Sequence, residues 1–146
     1  MYSQGFLSEG CKITKVADAA GAATSDVTGS TIDMAGFDGV MFLTSFGTPA
    51  ADNTMHAEQG AASNMSDAAD LEGSEVDVGA SDEDLFIDIL RPRERYVRVV
   101  LTRGTSTTVG DVWAIQYRAK DGVSVDNETA GTIAGKKLVY PAEGTK

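Results

Sequence analysis

The strongest constraint in this chain is the alternation of apolar and polar residues over short stretches. Tyr96 to Thr102 places Val97, Val99 and Leu101 on one side and Tyr96, Arg98 and Val100 on the other. A period of two is what a strand with one buried face requires, because successive side chains point to opposite sides of a sheet. Val40 to Phe46 aligns Val40, Phe42 and Phe46, and Asp111 to Lys120 aligns Trp113, Ile115 and Tyr117 against Gln116 and Arg118. Leu85 to Leu90 is a further apolar run. Weaker strand candidates are Lys12 to Ala17, Thr31 to Met34, Thr54 to Gln59, Glu75 to Val78 and Lys137 to Tyr140. The alternation predicts that Phe42, Val97, Val99, Trp113 and Ile115 are buried.

Turn chemistry separates these stretches. Asp38-Gly39 leads into the Val40 strand, and Arg103 to Gly110 reads as a hairpin loop between two strong strands. Arg91-Pro92-Arg93 interrupts pairing, since Pro lacks the N–H a ladder needs. The one helix candidate is Ala68 to Glu72, capped by Ser66 or Asp67 and stopped by Gly73. Residues 1–10, 19–30 and 121–135 lack periodicity and read as loops or arms. The chain of 146 residues is sized for one domain. The expected fold is all-β, a β-sandwich or jelly-roll-like barrel of about eight or nine short strands, with one short helix and extended loops or arms. Residues 1–10 form an N-terminal arm, and residues 11–146 a single β-rich domain with a loop-rich C-terminal segment.

Composition narrows the chemistry. A net charge of −10 argues against nucleic acid and against anionic membrane as partners. No apolar run approaches the roughly 20 residues of a membrane helix, and the first ten residues lack the pattern of a signal peptide. Soluble synthesis in a cytoplasm is expected. A single Cys11 and a single His56 remove disulfide frameworks, multi-Cys zinc sites and motifs that need two histidines. His56 lies in Thr54-Met55-His56-Ala57-Glu58, without a nucleophile elbow anywhere in the chain, and Cys11 has no local activating motif. Phosphate-binding glycine spacings are missing. The acidic run Ser81-Asp82-Glu83-Asp84, with Asp67 and Asp70, offers oxygen ligands of the kind calcium takes, but without EF-hand spacing. No catalytic residue, cofactor or metal is assigned, and the chain is expected not to be an enzyme.

Charge is distributed unevenly. Lys15 is followed by no Lys or Arg until Arg91, and fifteen carboxylates lie between them. Arg91, Arg93, Arg95, Arg98 and Arg103 then fall within thirteen residues. They either pair with the chain's own carboxylates or meet a partner of complementary charge, and both can hold.

Four stretches, taken in order, carry a resemblance. They are Gly36-Phe37-Asp38-Gly39-Val40-Met41-Phe42, Asp67-Ala68-Ala69-Asp70-Leu71-Glu72-Gly73, Arg91 to Gly104, and Ala114-Ile115-Gln116-Tyr117. The chain resembles, over about residues 31–120, the small capsid decoration (cement) proteins of long-tailed bacteriophages. The resemblance implies a non-enzymatic, β-rich virion protein, synthesised in the host cytoplasm, that binds the major capsid protein on the outer capsid surface, often as a homotrimer. It supplies no motif-defined binding positions. From the residues themselves, Tyr2, Phe6 and Leu7 are large apolar side chains on an otherwise polar arm, and with Arg91, Arg93 and Arg95 they are the expected partner-binding residues. A phage tail or head-completion protein, or a carbohydrate-binding β-sandwich, fits the same pattern.

Overall fold

A computed structural model describes residues 5–79, 84–120 and 124–145. Its first element is a single helical turn, α1 (Leu7–Gly10), and the rest is strand and loop. The strands are β1 (Lys12–Ala17), β2 (Ala20–Ala23), β3 (Val27–Thr28), β4 (Ile32–Asp33), β5 (Gly39–Ser45), β6 (Asn53–Gly60), β7 (Ala69–Asp70), β8 (Val76–Asp77), β9 (Asp84–Leu90), β10 (Tyr96–Arg103), β11 (Thr107–Val109) and β12 (Val112–Tyr117). All pair antiparallel. One sheet has the order β1-β12-β5-β9; the second runs β3-β10-β6-β7, with β4 also on β10 and β8 also on β6; β2 and β11 form a separate ribbon. The architecture is the expected all-β one, sandwich-like, without a closed barrel.

The two main sheets bury alternate residues against each other. Val40 and Phe42 of β5, Leu85 and Ile87 of β9, and Val112 and Ala114 of β12 meet Met55 and Ala57 of β6 and Val97, Val99 and Leu101 of β10. Phe42, Val97 and Val99 are fully buried, as the alternation predicts.

Trp113 and Ile115 are not. In β12 the inward face is Val112, Ala114 and Gln116, and Trp113, Ile115 and Tyr117 look outward. Register decides this. Trp113 stands opposite Leu43 and Ala114 opposite Phe42, so the side chain beside the inward Phe42 must itself point inward. A one-residue difference in parity exchanges the two faces. Gln116 tolerates the interior because its amide Nε2 donates to the carbonyl of Asp33 at 2.8 Å, which removes most of the cost of burying it.

Other expectations change for local reasons. Residues 103–110 do not close a hairpin: β10 and β12 lie in different sheets, and β11 pairs with β2. The unpatterned stretch 19–30 supplies β2 and β3. No helix forms at residues 67–72. The Asp67 carboxylate instead reaches back to accept the N–H groups of Ala61 and Ala62, at 2.9 and 3.1 Å, and Ala69–Asp70 pairs with β6. Lys137 to Tyr140 forms no strand. The two-residue strands account for a total of twelve in place of eight or nine.

Candidate partner-binding surfaces

The two outer faces of the sandwich differ in chemistry. On the four-stranded sheet, register aligns Lys15, Trp113, Leu43 and Phe86 in one row. Ile13, Ile115, Met41 and Asp88 form the next, and Tyr117, Gly39 and Leu90 the third. Of these eleven positions only Lys15 and Asp88 carry charge. Phe86 is 63% exposed and Leu90 52%. Isolated apolar side chains on a surface are ordinary, but a contiguous apolar sheet face marks a site of association.

Gly39 shapes the third row. The Tyr117 ring lies across β5 where Gly39 has no side chain, and a methyl group there would collide with its Cζ and hydroxyl. The ring thereby reaches β9, where its hydroxyl donates to Asp88 Oδ1 at 2.5 Å. Burial first, and then the bond to Asp88, push the Tyr117 phenol up to about 12. A folded-state pKa above the unfolded value of about 10 means that the linked stability is complete below pH 10 and is lost as pH rises from there through 12. Absorbance titration is expected to show one tyrosine of the four ionising late. Gly39→Ala should bring that tyrosine back towards pH 10. A titration curve unchanged by Gly39→Ala would show that the ring does not occupy this position.

At one margin of the apolar face lie Phe6 and Leu7, which share a groove with Ile13, Ile115 and Leu138. Leu7 is 83% exposed, and the Lys137 ammonium sits 6.0 Å from the Phe6 ring centroid. The chain is tied down from here on. Glu9 O accepts from Val125 N, and Gly10 O accepts from Ala119 N. Tyr2 lies outside the described residues.

At the other end, Leu90 runs directly into the arginine loop. The loop is fixed from below, where Gln59 Oε1 accepts the N–H groups of Arg93 and Glu94. Arg91 adopts a left-handed backbone, φ 53°, with its N–H on Asp38 O at 2.7 Å. The five arginines divide. Arg95 is committed to Asp33 by two bonds of 2.9 Å, and these, with the N–H of Ala35, hold the Asp33 carboxyl below its ordinary range. Arg98 pairs with Glu58 at 2.6 Å. Arg103 is buried. Arg91 and Arg93 are exposed and make no ion pair with a described carboxylate. Of the three loop arginines expected to bind a partner, Arg91 and Arg93 are exposed with no ion-pair partner among the described residues, and Arg95 is paired with Asp33.

The outer face of the six-stranded sheet is charged. His56 and Glu58, two residues apart on β6, share a side with Arg98 of β10 and Asp70 of β7. His56 Nε2 is 3.3 Å from Asp70 Oδ1 and 3.8 Å from Glu58 Oε1. One ligand atom from each of His56, Glu58 and Asp70 lies within 4.8 Å of the others, so these three could hold a metal ion. Arg98 already occupies the second oxygen of Glu58, which places a fixed positive charge beside any bound cation. In this cluster Arg98 and Glu58 form an ion pair and His56 adds a second, to Asp70, when it is protonated; Tyr96, Val100 and Thr102 share the same side of β10. The i, i+2 spacing of His56 and Glu58 was the one signal in the sequence; Asp70 and Arg98 join them only through pairing. The calcium candidates are not assembled in the same way. Asp67 serves Ala61 and Ala62, Asp70 serves His56, and residues 81–83 lie outside the described residues. Cys11 is buried, and burial pushes its thiol up, away from reactivity.

No family model, curated protein or solved structure matches this chain.

Proposed function

We propose that this chain is a non-enzymatic virion structural protein, a decoration or cement protein that binds the outside of a bacteriophage capsid and stabilises it as a homo-oligomer, most simply a trimer. The observation that carries the reading is the apolar outer face of the β1-β12-β5-β9 sheet, set back to back with a face that carries the Arg98–Glu58 ion pair and the His56–Asp70 contact. A sandwich with one apolar side and one charged side suits a molecule that lies against a protein surface and turns its other side to water. Leu7 at one margin and the exposed Arg91 and Arg93 at the other extend the surface with an apolar contact and with donors for carboxylates on the major capsid protein. The resemblance of the sequence to decoration proteins supplies the capsid as the partner.

Purified particles lacking this chain, mixed with the recombinant protein, are expected to bind it saturably in hundreds of copies. Leu7→Asp, Leu90→Asp and Arg93→Glu should each reduce occupancy by roughly tenfold or more while leaving the melting temperature within a few degrees, since exposed substitutions change stability little. Binding in a handful of copies would favour a tail or head-completion role. A carbohydrate-binding role draws on Trp113, Phe86 and Tyr117 sharing one face. But Leu43 separates the first two, and Lys15 lies 5.8 Å from the centroid of the Trp113 ring, so a flat aromatic platform is interrupted and protein docking is the better fit.

A further inference from the structure

The C-terminal segment presents large apolar side chains to solvent. Lys137 is anchored, 3.2 Å from Glu9. Beyond it the chain leaves the sandwich: Leu138 is 65% exposed, Val139 79% and Tyr140 101%. Three consecutive large apolar residues in water are the composition of a docking segment. Lys136 and Lys137 precede them without an intervening carboxylate.

The apolar sheet face has the complementary feature. Leu43, Phe86 and Trp113 line a groove of about 510 Å³ with Asp84 and Asp111 on its rim. Lys15, 5.8 Å from the Trp113 ring centroid, already faces Asp111, which leaves Asp84 as the rim carboxylate with no cation against it among the described residues. Floor and rim match the segment in both respects, apolar against apolar and the Asp84 carboxylate against a lysine. Within one chain the segment passes the neighbouring row, where Leu138 lines the groove with Ile13 and Ile115, and Val139 and Tyr140 turn into solvent.

We infer that Leu138–Tyr140 of one copy occupies the Leu43–Phe86–Trp113 groove of a second copy, with Lys136 meeting the acidic rim. This rests on the reading of the chain as a self-associating surface protein, and it names the surface through which copies join. A segment of one copy in a groove of the next is a head-to-tail contact. Such contacts close into a ring when the rotation between copies permits, and a three-membered ring is the simplest case compatible with a trimer.

Two variants of the full chain, each with one cysteine added to Cys11, test it, Tyr140→Cys and Phe86→Cys. Mixed and mildly oxidised, they are expected to give an interchain disulfide at least tenfold more abundant than either variant alone or the wild type, whose Cys11 is buried. Deleting residues 138–146, or introducing Phe86→Asp, should shift the mass in light scattering from an oligomer to a single chain with little change in melting temperature. Lys136→Glu should weaken association, with recovery on raising salt. A Tyr140→Cys, Phe86→Cys double variant that cross-links only within one chain would overturn the inference, as would an oligomer unaffected by the deletion. Particle binding is read separately. Occupancy retained by a chain that never self-associates removes this inference and leaves the capsid reading standing. A tail-dependent ring that ignores particles does the opposite.

Discussion

Phe42→Ala is expected to destabilise the protein by about 3–5 kcal/mol, and Trp113→Ala by only about 1–2 kcal/mol. The ranking runs against residue size, and the reason is which way each side chain faces. Phe42 is fully buried between the sheets, beside the small Ala114 that register places next to it. Its removal leaves a space in the core cluster beside Ala114 and Ile87, its partners in the neighbouring strands. Close-packed surroundings relax only partly, so the lost transfer energy and the cavity add. Trp113 lies half-buried on the outer face, between Lys15 and Leu43. Truncating it opens a surface dent that water fills, and the loss is limited to the area the ring covered. Thermal unfolding followed by far-ultraviolet circular dichroism reads both variants, and for a chain of this size the Phe42 change corresponds to a fall of roughly 10 °C. Equal losses would mean that β12 presents its other face to the core.

The same pair of residues shows how far the sequence can be read. In β10 the two faces differ sharply, with Val97, Val99 and Leu101 against Arg98 and Thr102, and alternation alone assigns the buried side. In β12 both faces are apolar. The larger side chains suggested an inward Trp113 and Ile115, and the polar Gln116 reinforced that choice. Neither clue survives the pairing with β5, which sets parity, or the carbonyl of Asp33, which satisfies Gln116. A strand with two apolar faces carries no local information about which one is buried.

The candidate surface was legible only in pieces. Leu7, Arg91 and Arg93 stand out in the sequence as apolar or charged residues without evident neighbours, and the structure leaves them exposed. The apolar sheet face was not visible, because Trp113 and Ile115 had been read as core and only register brings Leu43, Phe86 and Leu90 into adjacent rows with them. The arginine run was misleading for a different reason. Five cations close in sequence suggest one patch, yet a strand sends Arg98 outward and Arg103 inward, and the loop sends Arg91 and Arg93 into solvent. The helix expected near residue 68 failed because an Asp side chain serves a preceding turn as readily as a following one, and Asp67 turned back.

Arg103→Met is expected to lower stability by about 3–5 kcal/mol, comparable to emptying the core at Phe42, although it exchanges one long side chain for another. Arg103 ends β10 with 4% exposure, and neutral oxygens hold it. Its guanidinium donates to Ser25 O at 2.6 Å, Gly21 O at 2.8 Å, Thr107 O at 3.1 Å and Ser25 Oγ at 3.1 Å. Those oxygens belong to the β2 stretch, the turn after it, and β11. The planar fork thus ties the buried β11 to the β2 stretch and the turn after it, whose own residues (Ala, Gly, Ser, Thr) bury too little to order them. This is why residues 19–30 form strands without a periodic pattern: the ordering information lies in one arginine about 80 residues away. Methionine keeps the volume and supplies no donor, so each carbonyl loses a charge-assisted bond, worth roughly 1.5–3 kcal/mol before rehydration offsets part of it. Lysine keeps the charge, but a single ammonium cannot span acceptors arranged for a fork, so Arg103→Lys should recover less than half of the loss. Hydrogen exchange gives the sharper test. Amides of Ala20–Ala23 and Thr107–Val109 should lose protection in Arg103→Met while those of Val97–Leu101 keep theirs. Uniform loss along the chain would place Arg103 in the global core, and unchanged exchange in the β2–β11 ribbon would show that the ribbon stands without it.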